Sequence, residues 1–243
     1  MKAMIFAAGL GTRLRPLTNH KPKALVEVNG TPLLEMVIQR LKQFGFNEIV
    51  VNVHYFAKQI VSFLEAKDHF DISIHISDET DCLLETGGGL QKAQAFFAAD
   101  DQQPFLVHNV DVLSDVDLAT LYQTHLQTNS LATLVVRNRK TSRYLLFDEK
   151  DCLCGWQNVK TGEVRMVRDF AASLQPNALA FSGIQVINPA IFQYMPAGES
   201  AFSIIETYLQ AAKTETIMAY SSDDSTWLDV GKPESLAQAE KLF

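Results

Sequence analysis

The first 32 residues constrain the chain most. An apolar run, Lys2-Ala-Met-Ile-Phe-Ala-Ala8, leads directly into Gly9-Leu-Gly-Thr-Arg-Leu-Arg-Pro16, followed by Leu17-Thr-Asn-His-Lys-Pro-Lys-Ala-Leu25 and Val28-Asn-Gly-Thr-Pro32. A short apolar run bounded by glycines reads as a buried strand. Gly9 and Gly11 let the backbone turn sharply and be approached closely, and successive N–H groups in such a turn form a concave nest that favours anions. Residues 1–26 carry Lys2, Arg13, Arg15, Lys21 and Lys23 and no Asp or Glu, in a chain of net charge -7. A basic island in an acidic chain reads as a polyphosphate site. The alternative, a loop of solvated charges, leaves the coincidence of strand, glycine turn and cations unexplained.

Two other glycine motifs are excluded. A P-loop places Gly-Lys-Ser/Thr after its variable residues, and no such triplet occurs here. The dinucleotide fingerprint needs a third glycine where Leu14 stands and an acidic residue about 20 positions later at a strand end, whereas the next strand ends near Val53.

Downstream, Thr31-Pro32 reads as an N-cap and first turn. The helix behind it is marked by Leu34, Val37 or Ile38, Leu41 and Phe44 and is closed by Gly45. A strand is expected over 48–53, a helix over 57–66, and a half-solvated strand over 71–77, where Ile72, Ile74 and Ile76 alternate with polar residues. Glu85-Thr-Gly-Gly-Gly89 precedes a helix reaching about Phe97, so its glycines are expected to expose helix N-terminal N–H groups. Strands over 104–108 and 131–136 flank a helix over 118–126. This strand–helix alternation implies a parallel sheet covered by helices on both faces. After Arg137 the pattern turns strand-rich (144–147, 153–157, 178–187), with a loop over 173–178. Short helices over 189–195 and 202–212, a strand over 216–220, Thr226-Trp-Leu-Asp-Val-Gly231 and a last helix from Pro233 complete the chain. No linker or repeat interrupts it, so a single domain over 1–243 is expected. Its 1–136 half would mainly bind the anion, and its 137–243 half would complete the site.

Asp111 closes the 104–108 strand at the carboxyl edge, where open α/β sheets bind ligands, and Asp229 ends the Trp227-Leu-Asp stretch. Both are candidate metal ligands, although a lone Asp at a strand end is also an ordinary cap. Asp115 and Asp117 read as caps of the following helix. Cys152 and Cys154 would face one side of a strand, and no second pair completes a metal set. Three cysteines without a signal peptide point to reduced thiols and a cytoplasmic protein. The absence of a run of 18 apolar residues excludes a transmembrane helix. The acidic balance excludes nucleic acid as a partner.

Residues 9–32 also fit, without a gap, the pattern Gly-x-Gly-Thr-Arg-Leu-x-Pro-Leu-Thr-x-x-x-Pro-Lys-x-Leu-x-x-Val-x-Gly-x-Pro. In this the chain resembles the sugar-1-phosphate nucleotidyltransferases. The resemblance implies an α/β Rossmann-like three-layer sandwich with a mostly parallel mixed sheet. It also implies Mg2+-assisted transfer of a nucleotidyl group from a nucleoside triphosphate to a sugar 1-phosphate, by a monomer or small homo-oligomer. Carried over residue by residue, it assigns catalysis to Arg13, Lys23, Asp111 and Asp229, and metal ligation to the two aspartates. Nucleotide binding falls to Ala8, Gly9, Gly11, Thr12, Arg13, Lys23, Glu85, Gly87 and Gly88, and sugar binding to Asn109, Ser182 and Gly183. Leu84-Glu-Thr-Gly-Gly-Gly89 and Phe181-Ser-Gly-Ile184 most resemble the N-acetylmuramate 1-phosphate uridylyltransferase group; a mannose- or heptose-1-phosphate guanylyltransferase is the alternative. A non-catalytic nucleotide-sugar sensor is disfavoured, because Lys23, Asp111 and Asp229 are all present. Two departures stand out. Val110 replaces a glycine usual before the metal aspartate. A Glu-Lys-Pro motif supplying a sugar-phosphate lysine is missing, which leaves Arg165 or Arg168 to replace it. Asn52-Val-His54 matches family usage and reads equally as a substrate contact or a packing pair.

Overall fold

The computed structural model describes residues 1–97, 103–167, 176–198 and 200–243. β1 (Lys2–Phe6) runs into three short 3-10 turns (Thr12–Leu14, Leu17–Asn19 and Lys23–Leu25) and a small antiparallel ribbon, β2 (Glu27–Val28) with β3 (Thr31–Pro32). α1 (Leu33–Gln43) therefore starts later than its expected cap. Thr31 and Pro32 belong to the ribbon, and the Leu33 N–H donates to the Val26 carbonyl at 2.9 Å instead of to a side-chain cap. Gly45, at φ +84°, takes the chain out of the helix. β4 (Glu48–Val53) and α2 (Ala57–Ala66) fall where periodicity placed them.

β5 (Ser73–Asp78) follows, then α3 (Glu85–Lys92), α4 (Gln94–Phe97), β6 (Phe105–Asn109), β7 (Val112–Ser114) and α5 (Leu118–Thr128). β5 is an edge strand, so Ile74 packs against the core while Ile76 is exposed. The expected continuous helix to Phe97 is broken at Ala93. Its three glycines lie inside α3 and not ahead of it. Asp117 caps α5, accepting from the Ala119 and Thr120 N–H groups. Asp115 does not cap; it accepts from the Thr226 N–H at 2.8 Å.

The remaining elements are β8 (Ala132–Arg137), β9 (Arg143–Phe147), β10 (Leu153–Asn158), β11 (Glu163–Met166), β12 (Asn177–Ile187), α6 (Ile204–Ala211), β13 (Ile217–Ser221), β14 (Trp227–Asp229) and α7 (Pro233–Leu242). The expected loop over 173–178 is corrected at its end, where Asn177 and Ala178 pair with β9; its first three residues lie outside the described ones. Cys152 and Cys154 join no metal-ligating group among the described residues. No helix among those residues is long and apolar enough to cross a membrane.

β6, β1, β4 and β5 run parallel, as the strand–helix alternation requires. β12 then pairs antiparallel with β6, β8 and β9 and carries the sheet onward to β10 and β11, with β13 parallel to β8 on a side branch. Side chains of one strand alternate between faces. Ala3 and Ile5 accordingly enter a core with α1, α2 and α5, while Met4 enters another with α3, α4 and α6. Two helical layers thus enclose a mixed sheet.

The core beneath α1, α2 and α5 hides two histidines. His108 lies on β6, and its Nδ1–H donates to the Asn109 carbonyl at 2.8 Å. His125 lies on α5, hydrogen-bonded to Thr133 Oγ1 at 2.9 Å. Burial lowers each imidazole to about 4. Between about pH 6.5 and 4 the unfolded chain therefore binds more protons than the folded one, so stability declines as pH falls through that window. Each histidine contributes at most about 1.4 kcal/mol of loss per pH unit. Urea unfolding at pH 7 and pH 5 should show a drop of about 2–4 kcal/mol for the pair; an unchanged midpoint would contradict the neutral, buried assignment.

Candidate active site

The glycine turn leaves β1 at the carboxyl edge of the parallel strands. Gly11 adopts φ +63°, and a Cβ there would stand 3.0 Å from Thr18 Cγ2 and 3.1 Å from Lys23 Cβ. Both the dihedral and the crowding demand glycine. The Thr18 hydroxyl donates to the Gly11 carbonyl at 2.8 Å, folding the following 3-10 turns back over the loop. Pro22, extended before the Lys23–Leu25 turn, delivers the largely buried Lys23 side chain beneath it, in contact with Asp111 Oδ2.

The second half of the site arrives through a short antiparallel ribbon. β7 pairs with β14 so that Val112 stands opposite Asp229, and the Val230 N–H donates to the Asp111 carbonyl at 2.8 Å. This brings Asp229, near the C-terminal end of the sequence, beside Asp111 in its middle. Asp229 lies 4.0 Å from Arg13 Nη2. A Cβ on Gly231 would fall 2.5 Å from Asp229 Oδ1 and 2.6 Å from Arg13 Nη2, so any larger residue there would displace the tips of that pair. Burial pushes the Asp229 carboxyl up, and the neighbouring Asp111 adds to this, against the opposing pull of Lys23, Arg13 and Arg139. Asp229 Oδ1 is buried with no hydrogen-bond partner. Two repelling carboxylates, one with an unfilled oxygen, form a hard-oxygen donor set suited to a divalent cation.

Lys23, Arg13, Asp111 and Gly231 line a cleft of about 560 Å³, within the range of small-molecule sites, and Asp229 stands behind Arg13 at its edge. Ala8, Gly9, Gly11, Thr12, Arg13, Lys23, Glu85, Asn109 and Asp111 all line it. Gly87 and Gly88 do not project into it. Their N–H groups both donate to the Phe202 carbonyl, at 2.8 and 3.3 Å, and their missing side chains make room for Phe202 and for the Ser200 carbonyl. The cleft wall on that side is Leu83, Glu85 and Thr86. Ser182 is buried, and its carbonyl accepts from the Trp227 indole N–H at 2.8 Å. Gly183, at φ +76°, lets β12 close over Asn109, whose Nδ2 would be 2.7 Å from a Cβ at that position. Both support the wall from behind. Val110, which stands where a glycine is usual, packs in the core and also lines the cleft.

Arg165 is not in the cleft. It makes a two-pronged pair with Glu206, 2.7 Å on each arm, beside a separate groove; Arg168 lies outside the described residues. Arg143 lines the cleft instead, and Arg139 stacks 4.5 Å over the Trp227 ring and acts on Asp229. Sequence reasoning missed these two arginines, and nothing local to the Arg-x-Arg-Lys stretch marks them. It also missed Glu79, a fully buried carboxylate bonded to Asn52, while Asn52 Oδ1 accepts from the Ala7 and Ala8 N–H groups. Asn52 is thus a brace for the turn, and its signal was a polar residue inside the apolar 48–53 strand.

The chain is 34% identical to an N-acetylmuramate alpha-1-phosphate uridylyltransferase of Neisseria meningitidis serogroup B, covering 100% of this chain and 98% of that protein. A mannose-1-phosphate guanyltransferase of Yarrowia lipolytica is 30% identical, covering 100% of this chain and 64% of that protein. Among solved structures, HddC from Yersinia pseudotuberculosis complexed with GMP-PN superposes with a TM-score of 0.77 at 21% identity, covering 100% of this chain and 99% of that one, which speaks to the fold. Residues 2–243 match the nucleotidyl transferase family. The chain belongs to that family, as a sugar-1-phosphate nucleotidyltransferase.

Proposed function

We propose that the chain transfers the uridylyl group of UTP to N-acetylmuramate 1-phosphate, with pyrophosphate as the second product. The observation that carries the transfer chemistry is the convergence of two ion pairs, Lys23 with Asp111 and Arg13 with Asp229, beside one glycine turn. The choice of substrates rests on the 84–89 and 181–184 stretches and on the full-length likeness to the Neisseria meningitidis uridylyltransferase.

An oxygen of the sugar phosphate attacks the α-phosphorus, and the bond from that phosphorus to the oxygen bridging to the β-phosphate breaks, so pyrophosphate leaves with the bridging oxygen. A phosphate monoester has its second pKa near 6, so about nine-tenths of it is dianionic at pH 7 and no general base is needed. The task for the protein is to hold two anions together and to cancel charge as it develops on the leaving group. Arg13 faces the leaving pyrophosphate and Lys23 the reacting phosphates. Glycine-turn N–H groups cradle the triphosphate. Arg139 and Arg143 supply the positive charge on the acceptor side that Arg165, tied to Glu206, does not. Asp111 and Asp229 would hold Mg2+, whose preference for oxygen ligands the two carboxylates meet. When bound there, such an ion would supply neutralisation of phosphate charge.

The Yarrowia lipolytica relative favours one competing reading, GTP with mannose 1-phosphate. Pyrophosphate release should be measured with each of four nucleoside triphosphates against a panel of sugar 1-phosphates. Turnover is expected to be highest with UTP and N-acetylmuramate 1-phosphate. A preference for GTP and mannose 1-phosphate would replace the substrate assignment and leave the transfer chemistry standing.

A further inference from the structure

A buried amide–carboxylate pair links the two loops that face each other across the nucleotide side of the cleft. Glu79, just past β5, is 1% exposed. Its Oε1 accepts from Asn52 Nδ2 at 2.7 Å, and its Oε2 accepts from the Leu84 N–H at 3.4 Å. Asn52, on β4, points its other end at the glycine turn, where Oδ1 accepts from Ala7 N–H at 2.7 Å and Ala8 N–H at 3.3 Å. One line of hydrogen bonds thus runs from the turn, through Asn52 and Glu79, to the segment whose Leu83, Glu85 and Thr86 form the opposite wall. The main chain of Glu79 is fixed as well: its N–H donates to the Val53 carbonyl at 2.7 Å, and its carbonyl accepts from the Cys82 N–H at 3.1 Å. Gly89 of α3 packs on the pair, since a Cβ there would lie 2.7 Å from Glu79 Oε1. Burying a carboxylate is costly unless its oxygens are bonded. Here both bonds go to groups that set the shape of the cleft.

We propose that Glu79 is a positioning residue for the nucleoside triphosphate: through Asn52 it fixes the glycine turn, through the Leu84 N–H it fixes the facing wall, and the two close in register on one ligand. This rests on the nucleotidyl-transfer reading above.

The test reverses the polarity of the pair. In Glu79→Gln the new amide nitrogen meets only donors, Asn52 Nδ2 on one side and the Leu84 N–H on the other, so one arm is lost. In Asn52→Asp two carboxylates face each other. In the double variant the carboxylate at position 52 accepts from Ala7, Ala8 and the amide at position 79, whose oxygen accepts from the Leu84 N–H. Every bond is rebuilt with the roles exchanged. Using pyrophosphate release with UTP, or with whichever triphosphate the panel selects, Glu79→Gln should raise KM for the triphosphate about tenfold while kcat changes by less than about threefold. The double variant should bring KM back to within about threefold of the starting protein. Comparing Glu79→Gln with the double variant suffices if Asn52→Asp alone does not fold. An unchanged KM in Glu79→Gln, or a double variant no better than Glu79→Gln, overturns the proposal. A starting protein that releases no pyrophosphate from any triphosphate sinks the underlying reading instead, so the two failures are distinct.

Discussion

Replacing Lys23 with alanine should lower kcat by two to three orders of magnitude, the effect of removing one preorganised charge-stabilising group from a transition state (about 2.7–4 kcal/mol). Lys23 is largely buried, held by the turn after Pro22, and paired with Asp111 inside the cleft. An ammonium fixed in this way needs no reorganisation when charge develops on the phosphates, which is the condition under which electrostatic stabilisation is large. Its removal also leaves Asp111 and Asp229 facing an incoming polyanion with less positive charge between them. Lys21 is the control. It is half-exposed and pairs loosely with Glu27 at 3.5 Å, and such surface pairs contribute little, so Lys21→Ala should stay within about twofold of the starting turnover. Steady-state pyrophosphate release for both variants decides the matter. Turnover for Lys23→Ala within tenfold of the starting protein would remove the lysine from the proposed mechanism.

Gly88→Ala should cost about 3 kcal/mol of stability, or roughly 6–12 °C in Tm for a chain of this size. A Cβ at that position would sit 2.0 Å from the Ser200 carbonyl oxygen. A backbone oxygen cannot rotate aside as a side chain can, so α3 or the 200–202 segment must shift. That segment carries Phe202, whose ring fills the space left by Gly87 and which belongs to the core shared with α6. The Gly30→Ala change separates crowding from the general effect of losing a glycine, because nothing lies within 4 Å of a Cβ there; it carries only the strain of φ +79°, on the order of 1–2 kcal/mol. Thermal unfolding of both variants tests this. A Gly88→Ala midpoint equal to that of the starting protein would mean that the contact with Ser200 yields freely.

The two glycine stretches show how far sequence reading reached. The first was legible because its signals are local, an apolar strand, a left-handed Gly11 and a run of cations within a few residues, while its brace at Asn52 is not. The second was misread in its N–H groups, which are bonded to Phe202. Glycines before an apolar helix suggested exposed N–H groups, yet Gly87 and Gly88 exist because α3 lies against Phe202 and Ser200, more than a hundred residues away in the chain. The same limit applies to the sheet. Alternation and length located β4 and α2, but no local pattern places β12 between β6 and β8. That placement depends on one strand of 11 residues pairing with three others, at a step marked by Gly183. Arg165 was a reasonable stand-in for a missing cation by position alone, but Glu206, brought beside it by tertiary packing, captures it.

The β7–β14 ribbon has a consequence for biosynthesis. A nascent chain that has emerged as far as β13 already has its glycine turn, Lys23 and Asp111, yet it lacks the strand that pairs with β7 and brings Asp229 beside Asp111. Domains fold as units, so on the proposed assignment the carboxylate pair is completed only when the last strand joins the rest of the chain. On that assignment, competence for transfer waits on the docking of the Trp227–Asp229 segment.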